Sequence, residues 1–258
     1  MKFLIQKING EIRHDFSFTL MESIRFRNWL QNADKIKYRF LDTTENAIDF
    51  KFKSLHRQYV PVGSVEFVSA FLKQFYDLTP KPINVPEELF DICFTQRKIF
   101  NGTHMSLENQ AGTFFVKSND QIKYFTELVD CNENGMYGTT YSVPIPVGNH
   151  QISEYLRGIE SEWRAFVYKG KLVGLQNYSG EFTKFPKVSA IKSMIYAYKS
   201  APVAYTLDVA VCDYATLIIE VHDFFSCGLY GFADHVIYPS MLHSWFWQYV
   251  QREMVNQH

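Results

Sequence analysis

Residues 206–225 read TLDVAVCDYATLIIEVHDFF, two short apolar runs around a polar break. The runs, Leu207 to Val211 and Thr216 to Val221, are dominated by β-branched residues. Cys212-Asp213-Tyr214 separates them, so the spacing predicts a strand, a tight turn and an antiparallel strand. Asp208 lies near the start of the first run and Glu220 near the end of the second, twelve positions on, with His222 and Asp223 just beyond. A hairpin folds those two ends together, so both carboxylates can face one point. An acid inside an apolar strand is costly unless it is paired or bound to a metal. The hairpin is therefore a candidate divalent-cation site, and hard oxygen ligands favour magnesium.

Composition narrows the setting of that hairpin. The chain has 258 residues, 47 % of them apolar, enough for one large domain or two to three subdomains around one cleft. Aromatic residues reach 17 %, which predicts a dense, ring-rich core. Net charge is −1 and no long run of Lys or Arg occurs, so neither a nucleic-acid nor a membrane-surface partner is expected. Cys93, Cys131, Cys212 and Cys227 are widely spaced and match no zinc pattern. The first residues, MKFLIQKINGEIRHDF, are too short and too charged for a secretory signal, and no apolar run approaches a membrane span. The expectation is a reducing, cytoplasmic setting.

Upstream of the hairpin, residues 1–80 predict a small α/β unit. Strands are expected at Lys2 to Ile8 and Ala47 to Phe52. Helices are expected at Met21 to Ala33, through Ile24, Phe26, Trp29 and Leu30, and after Ser64 as N-cap, burying Phe67, Phe71, Leu72 and Phe75. LTPKPINVPEEL, with Pro80, Pro82 and Pro86, reads as an extended connector into a helix from Glu87 to Phe94. Next come a strand from Thr113 to Lys117, a helix from Ile122 to Val129 and a strand through Val143 and Ile145. Ile152 to Leu156 is a strand or connector and 157–161 a polar loop. Glu162 to Tyr168 and Lys171 to Tyr178 form a hairpin about Lys169-Gly170. Glu162 and Arg164 share a face, since side chains repeat every second residue. A short helix through Ile191, Met194 and Ile195 precedes the acidic hairpin, and a C-terminal helix buries Leu242, Trp245, Phe246 and Tyr249.

The order of these features carries more than any one of them. A lysine closes a strand in FFVKSNDQIKYF, and Glu-Tyr-Leu and a Glu/Arg strand follow in ISEYLRGIESEWRAFVYKGKLVG. The Asp and Glu-x-His strands come last. With VPVGSVEFV upstream, this order resembles the ATP-grasp superfamily over about residues 60–235, and in particular its small phage-associated members. The resemblance implies an α+β fold holding a nucleotide between two subdomains, 81–155 and 156–258, preceded by an α/β domain at 1–80. It implies that Lys117 contacts the nucleotide phosphates, with Arg97 or Lys98 as an earlier basic residue. Glu154, Tyr155 and Leu156 are implied as the hinge that reads adenine, and Glu160 or Glu162 as the acid on the ribose. Arg164 is implied to face the phosphates or an acyl-phosphate. Asp208 and Glu220 are implied as magnesium ligands, with manganese as the alternative ion.

His222 departs from the pattern, in which Asn stands two residues after the Glu. It binds the metal weakly, binds manganese better, touches phosphate or substrate, or leaves the task to Asp223. The implied activity is ATP-dependent joining of a carboxylate to an amine or similar nucleophile, on a small molecule, peptide or protein. Asp208→Asn or Glu220→Gln is then expected to abolish turnover with the fold intact. The alternatives are a nucleotide-binding protein without catalysis and a structural or interaction protein. No Gly-Lys-Ser/Thr loop occurs, which argues against a P-loop enzyme.

Overall fold

A computed structural model of the chain describes residues 1–30, 35–44, 50–108, 110–132, 137–139 and 143–256. Chain contacts divide it into two compact units, one of Met1–Thr79, Pro202–Tyr205 and Asp223–His258, the other of Pro80–Ala201 and Thr206–His222.

The first unit opens with β1 (Lys2–Ile8), α1 (Asp15–Leu30), β2 (Lys37–Thr43), β3 (Val60–Val62) and α2 (Val65–Tyr76). Both β2 and β3 pair with β1 in parallel, giving the order β2-β1-β3. Parallel pairing requires a crossover, which α1 supplies between β1 and β2. Phe3, Leu4 and Ile5 in the central strand are fully buried, as both faces of a covered parallel strand should be. Helix α1 begins at Asp15, six residues before the expected start, and buries Phe16, Leu20, Met21 and Ile24. Phe26, Trp29 and Leu30, expected on its inner face, are exposed instead. Ser64 caps α2, accepting from the Phe67 N–H at 3.2 Å, and Phe67, Phe71 and Leu72 are buried as expected. Gly63 precedes that cap because a Cβ there would come within 2.5 Å of the Gln6 side chain, which accepts from the Ser64 N–H. Strand β2 is absent from the sequence reading. Half of the expected strand at 47–52, residues 47–49, lies outside the described residues, and 50–53 are not in a sheet.

The second unit holds α3 (Ile92–Thr95), β4 (Ile99–Gly102), β5 (Gly112–Ser118), β6 (Thr126–Cys131), β7 (Tyr137–Thr139), β8 (His150–Glu154), β9 (Ile159–Tyr168), β10 (Lys171–Gly180) and α4 (Val188–Ala197). β11 (Ala204–Cys212) and β12 (Ala215–Asp223) complete it, save that Ala204, Tyr205 and Asp223 group with the first unit. One sheet has the order β4-β8-β5-β6-β7 and the other β10-β9-β11-β12. The first packs Phe114, Val116, Val129 and Ile152 into a core with Leu107 and Phe125.

Four expectations fail in this unit, the first being the polar loop at 157–161, whose last three residues already belong to β9. The helix at 122–129 is strand β6, whose Thr126 to Cys131 pair antiparallel with Lys117 back to Gly112. The ladder of β5 overrides local propensity there, and Lys123, at φ 57°, turns the chain just before it. The helix at 87–94 is cut in two: a single 3₁₀ turn covers Glu87–Leu89, and the Asp91 side chain then accepts from the Cys93 N–H and caps α3. Val143 and Ile145 lie outside any strand, and the residues just before them are not among those described. The proline-rich connector is also less free than its composition suggests. Asn84 bridges to Val221, and the Gln151 side chain clamps Val85 by accepting from its N–H at 2.9 Å and donating to its carbonyl at 2.8 Å.

The chain closes with α5 (Tyr238–Asn256), which returns to the first unit and buries Leu242, Trp245, Phe246 and Tyr249 as expected. No helix among the described residues is long and apolar enough to cross a membrane.

Candidate active site

The site is one face of the sheet β10-β9-β11-β12. A two-residue turn joins β11 to β12, with Asp213 at φ 44° and Tyr214 at φ 66°. Two consecutive left-handed residues make the turn type whose twist suits a hairpin. On β9 the alternation puts Glu160, Glu162 and Arg164 on one face, on β11 Asp208, and on β12 Glu220 and His222. Strand β11 is buried along its whole length, so Asp208, 1 % exposed, needs a partner. It has one on the neighbouring strand. The Arg164 Nε donates to Asp208 Oδ1 at 2.8 Å and Nη2 to Oδ2 at 2.7 Å, a bidentate charge-assisted pair.

Beside this pair, Asp208, Glu220 and His222 bring one ligand atom each within 4.8 Å of the others. The His222 Nε2 lies 2.6 Å from Glu220 Oε1 and 3.9 Å from Asp208 Oδ2. Glu220 also forms an ion pair with Lys117, which reaches it from the end of β5. Burial pushes the Lys117 ammonium down to about 8; Asp208 nearby opposes that fall and Arg97 adds to it. Asp223 does not join the cluster as the alternative third ligand: its carboxylate accepts from the Trp245 indole N–H at 2.8 Å.

A cavity of about 300 Å³ opens beside these groups, at the small end of the range for small-molecule sites. Lys117, Glu162, Glu220 and Arg97 give it charge. Phe115, Tyr155, Leu156, Ile159 and Ile219 give it apolar walls. Glu154, Tyr155 and Leu156 also line it. The Glu154 carboxylate, however, accepts from the Lys98 backbone N–H at 2.8 Å and braces the hinge against β4.

Two pairs of alternatives separate here. Arg97 lines the cavity and is buried, whereas Lys98 is exposed, with its ammonium over the Phe100 ring. Burial pushes the Arg97 guanidinium down to about 10, and it donates to Ser153 Oγ and to the Thr95 and Ile218 carbonyls. Glu162 lines the cavity, whereas Glu160 pairs with Lys184 at 2.8 Å.

Sequence reasoning missed Tyr178, whose hydroxyl donates to Glu162 Oε2 at 2.8 Å. The register between β9 and β10 slips there, Asn177 facing Trp163 but Ser179 facing Glu162. Such a bulge re-aims a side chain. Burial, then the Asp208 and Glu162 charges, keep the Tyr178 hydroxyl protonated.

Residues 94–239, more than half of the chain and the whole of both acidic strands, match the model of the ATP-grasp domain, R2K clade family 2. The chain belongs to this ATP-grasp family. Its fold is that of D-alanine–D-alanine ligase from Bacillus anthracis at 13 % identity and a TM-score of 0.50, with all of both chains covered. N5-carboxyaminoimidazole synthetase from Staphylococcus aureus matches at 12 % identity and a TM-score of 0.51, over 86 % of this chain and 71 % of that one. At such identities the likeness speaks for the α+β ATP-grasp fold alone. No curated protein sequence matches the chain.

Proposed function

We propose that this chain is an ATP- and divalent-cation-dependent ligase that joins a carboxylate to an amine or similar nucleophile. The observation that carries the reading is that Lys117, reaching in from β5, pairs with Glu220 beside Asp208 and His222, while Lys117, Glu162 and Glu220 line one cavity. In this reading the two sheets of the second unit belong to the two ATP-grasp subdomains that the sequence sets at 81–155 and 156–258, although 223–258 group with the first unit, and residues 1–80 are the preceding domain. D-alanine–D-alanine ligase, by its name, joins two amino acids; an amino-acid, peptide or protein substrate is the corresponding expectation here.

The donor set fits a hard divalent ion, because Asp208 and Glu220 offer carboxylate oxygens with His222 beside them. Bound there, the ion neutralises charge on phosphoryl oxygens. The remaining chemistry belongs to the chain. Lys117 and Arg97 supply positive charge at the cavity wall, suited to phosphate oxygens. Glu162, held by Tyr178, accepts hydroxyl hydrogen bonds from a ribose. Tyr155, Leu156, Ile159 and Ile219 make an apolar slot for a purine, and the hinge backbone reads its edge. Arg164 has both its Nε and Nη2 committed to Asp208, so it acts as a positioning residue for that carboxylate rather than as a phosphate ligand. Phosphoryl transfer from ATP to a carboxylate asks for positioning and charge neutralisation, not for a protein nucleophile. The amine then displaces phosphate at the acyl carbon and gives up a proton.

Glu220→Gln tests the reading. It keeps the shape of a part-exposed side chain and removes one charge, so ATP consumption should fall at least about 100-fold while an ATP analogue still raises the melting temperature. Full ATP turnover in this variant would contradict the ligase assignment. Analogue binding with no turnover in the wild type, across a panel of amino-acid and peptide substrates, would favour a nucleotide-binding protein without catalysis.

A further inference from the structure

We infer that His222 sets the metal preference of the cluster, so that the site selects Mn²⁺ over Mg²⁺. The inference rests on the proposed nucleotide and metal reading of this sheet face. The three groups are two carboxylates and one imidazole, and their ligand atoms lie within 4.8 Å of each other. The imidazole takes part by position. Its Nε2, 2.6 Å from Glu220 Oε1 and 3.9 Å from Asp208 Oδ2, is turned towards the two acids. Spacing along the strand produces this, because positions 220 and 222 of β12 fall on one face.

The chemistry of such a mixed set differs from that of an all-oxygen set. Mg²⁺ is small, demands near-ideal octahedral oxygen coordination and gives up water reluctantly. Imidazole nitrogen suits first-row transition ions, whereas carboxylates suit hard ions such as Mg²⁺ and Mn²⁺. An oxygen-rich set with one imidazole therefore favours Mn²⁺, the hard ion among them that also accepts nitrogen. Of the three protein groups that would hold the ion, His222 would be the one that separates the two ions. Among the described residues no other group of three such side chains offers a competing site.

The test is metal binding itself. Purified full-length protein, with a non-hydrolysable ATP analogue present, is titrated with Mn²⁺ while the free-ion electron paramagnetic resonance signal is followed; Mg²⁺ is then added as competitor. The same series is run on His222→Asn and His222→Gln, which replace the nitrogen donor with an amide oxygen at a part-exposed position and leave the core untouched. The Mn²⁺-over-Mg²⁺ affinity ratio should fall at least about tenfold in both variants, the scale of losing one partner of a metal site. A nitrogen coupling to the bound Mn²⁺ should be seen in the wild type and vanish in the variants. An unchanged ratio with no nitrogen coupling, while the analogue still binds, overturns the role of His222 and leaves the nucleotide site standing. Failure of the wild type to bind the analogue under any metal condition overturns the underlying reading, and this inference with it.

Discussion

Arg164 and Asp208 are locked together in a dry place, and that changes what mutagenesis of the site can show. Asp208 is 1 % exposed and accepts two hydrogen bonds from one guanidinium. Removing one partner of a buried ion pair leaves an uncompensated charge and typically costs about 3–5 kcal/mol. Asp208→Asn should therefore lower the free energy of unfolding by about 3 kcal/mol, measured by urea denaturation, and not leave the fold intact as the sequence alone suggests. Glu220→Gln, at a part-exposed side chain, should cost less than about 1 kcal/mol. Equal losses for the two would mean that the Arg164–Asp208 pair is not the buried contact described. Residue pairs also mark how far the sequence could be read. Period-two alternation puts Glu160 and Glu162 on one face but cannot separate them. Lys184 from the loop after β10 engages the first and Tyr178 from a bulge engages the second. Both partners depend on register, which local sequence does not encode.

At the scale of elements, the hairpin of β11 and β12 was legible because its two apolar runs and its turn are contiguous. The hairpin of β9 and β10 was legible for the same reason, through Lys169-Gly170. Strands β2 and β6 were not, since each exists by pairing with a strand distant in sequence or in pattern: β2 beside β1, and β6 against β5. The helical spacing of Phe26, Trp29 and Leu30 was real, but those side chains face solvent, and the buried stripe starts earlier, at Phe16. One local feature carries a pH dependence. His56, in the 3₁₀ turn Ser54–Gln58, is held neutral by burial, with Arg39 and Lys53 adding to the effect, so its pKa lies below 6.5. Its Nδ1 accepts from the Lys53 N–H at 3.2 Å, which a protonated ring could not do. As pH falls below 6.5 the unfolded chain takes up a proton that the folded chain resists, so stability should decline until the folded pKa is reached. Urea midpoints from pH 7.5 to 5 should show this decline, and His56→Gln should flatten it. An identical slope in the variant would assign the pH dependence to other groups.

At the scale of the molecule, the α+β class, the ATP-grasp family and the order of its charged residues were all within reach of the sequence. Order along the chain survives where spacing between elements does not. The division into units was less legible. Helix α5 joins the first unit after the chain has left it for well over a hundred residues, and nothing in its own pattern announces that return. Nor does sequence show that Glu154 is tied up by the Lys98 backbone, or that Gln151 fastens the proline segment, because both bonds span more than fifty residues. The central claim is that Lys117 from β5, together with Glu162, Asp208, Glu220 and His222 from the sheet β10-β9-β11-β12, holds a nucleoside triphosphate with a divalent ion. Calorimetric titration of a non-hydrolysable ATP analogue in the presence of Mg²⁺ or Mn²⁺ addresses it most directly. The account predicts saturable one-to-one binding, weakened at least about tenfold by Lys117→Ala and by removal of the metal. Absence of binding, or binding indifferent to both changes, would contradict it.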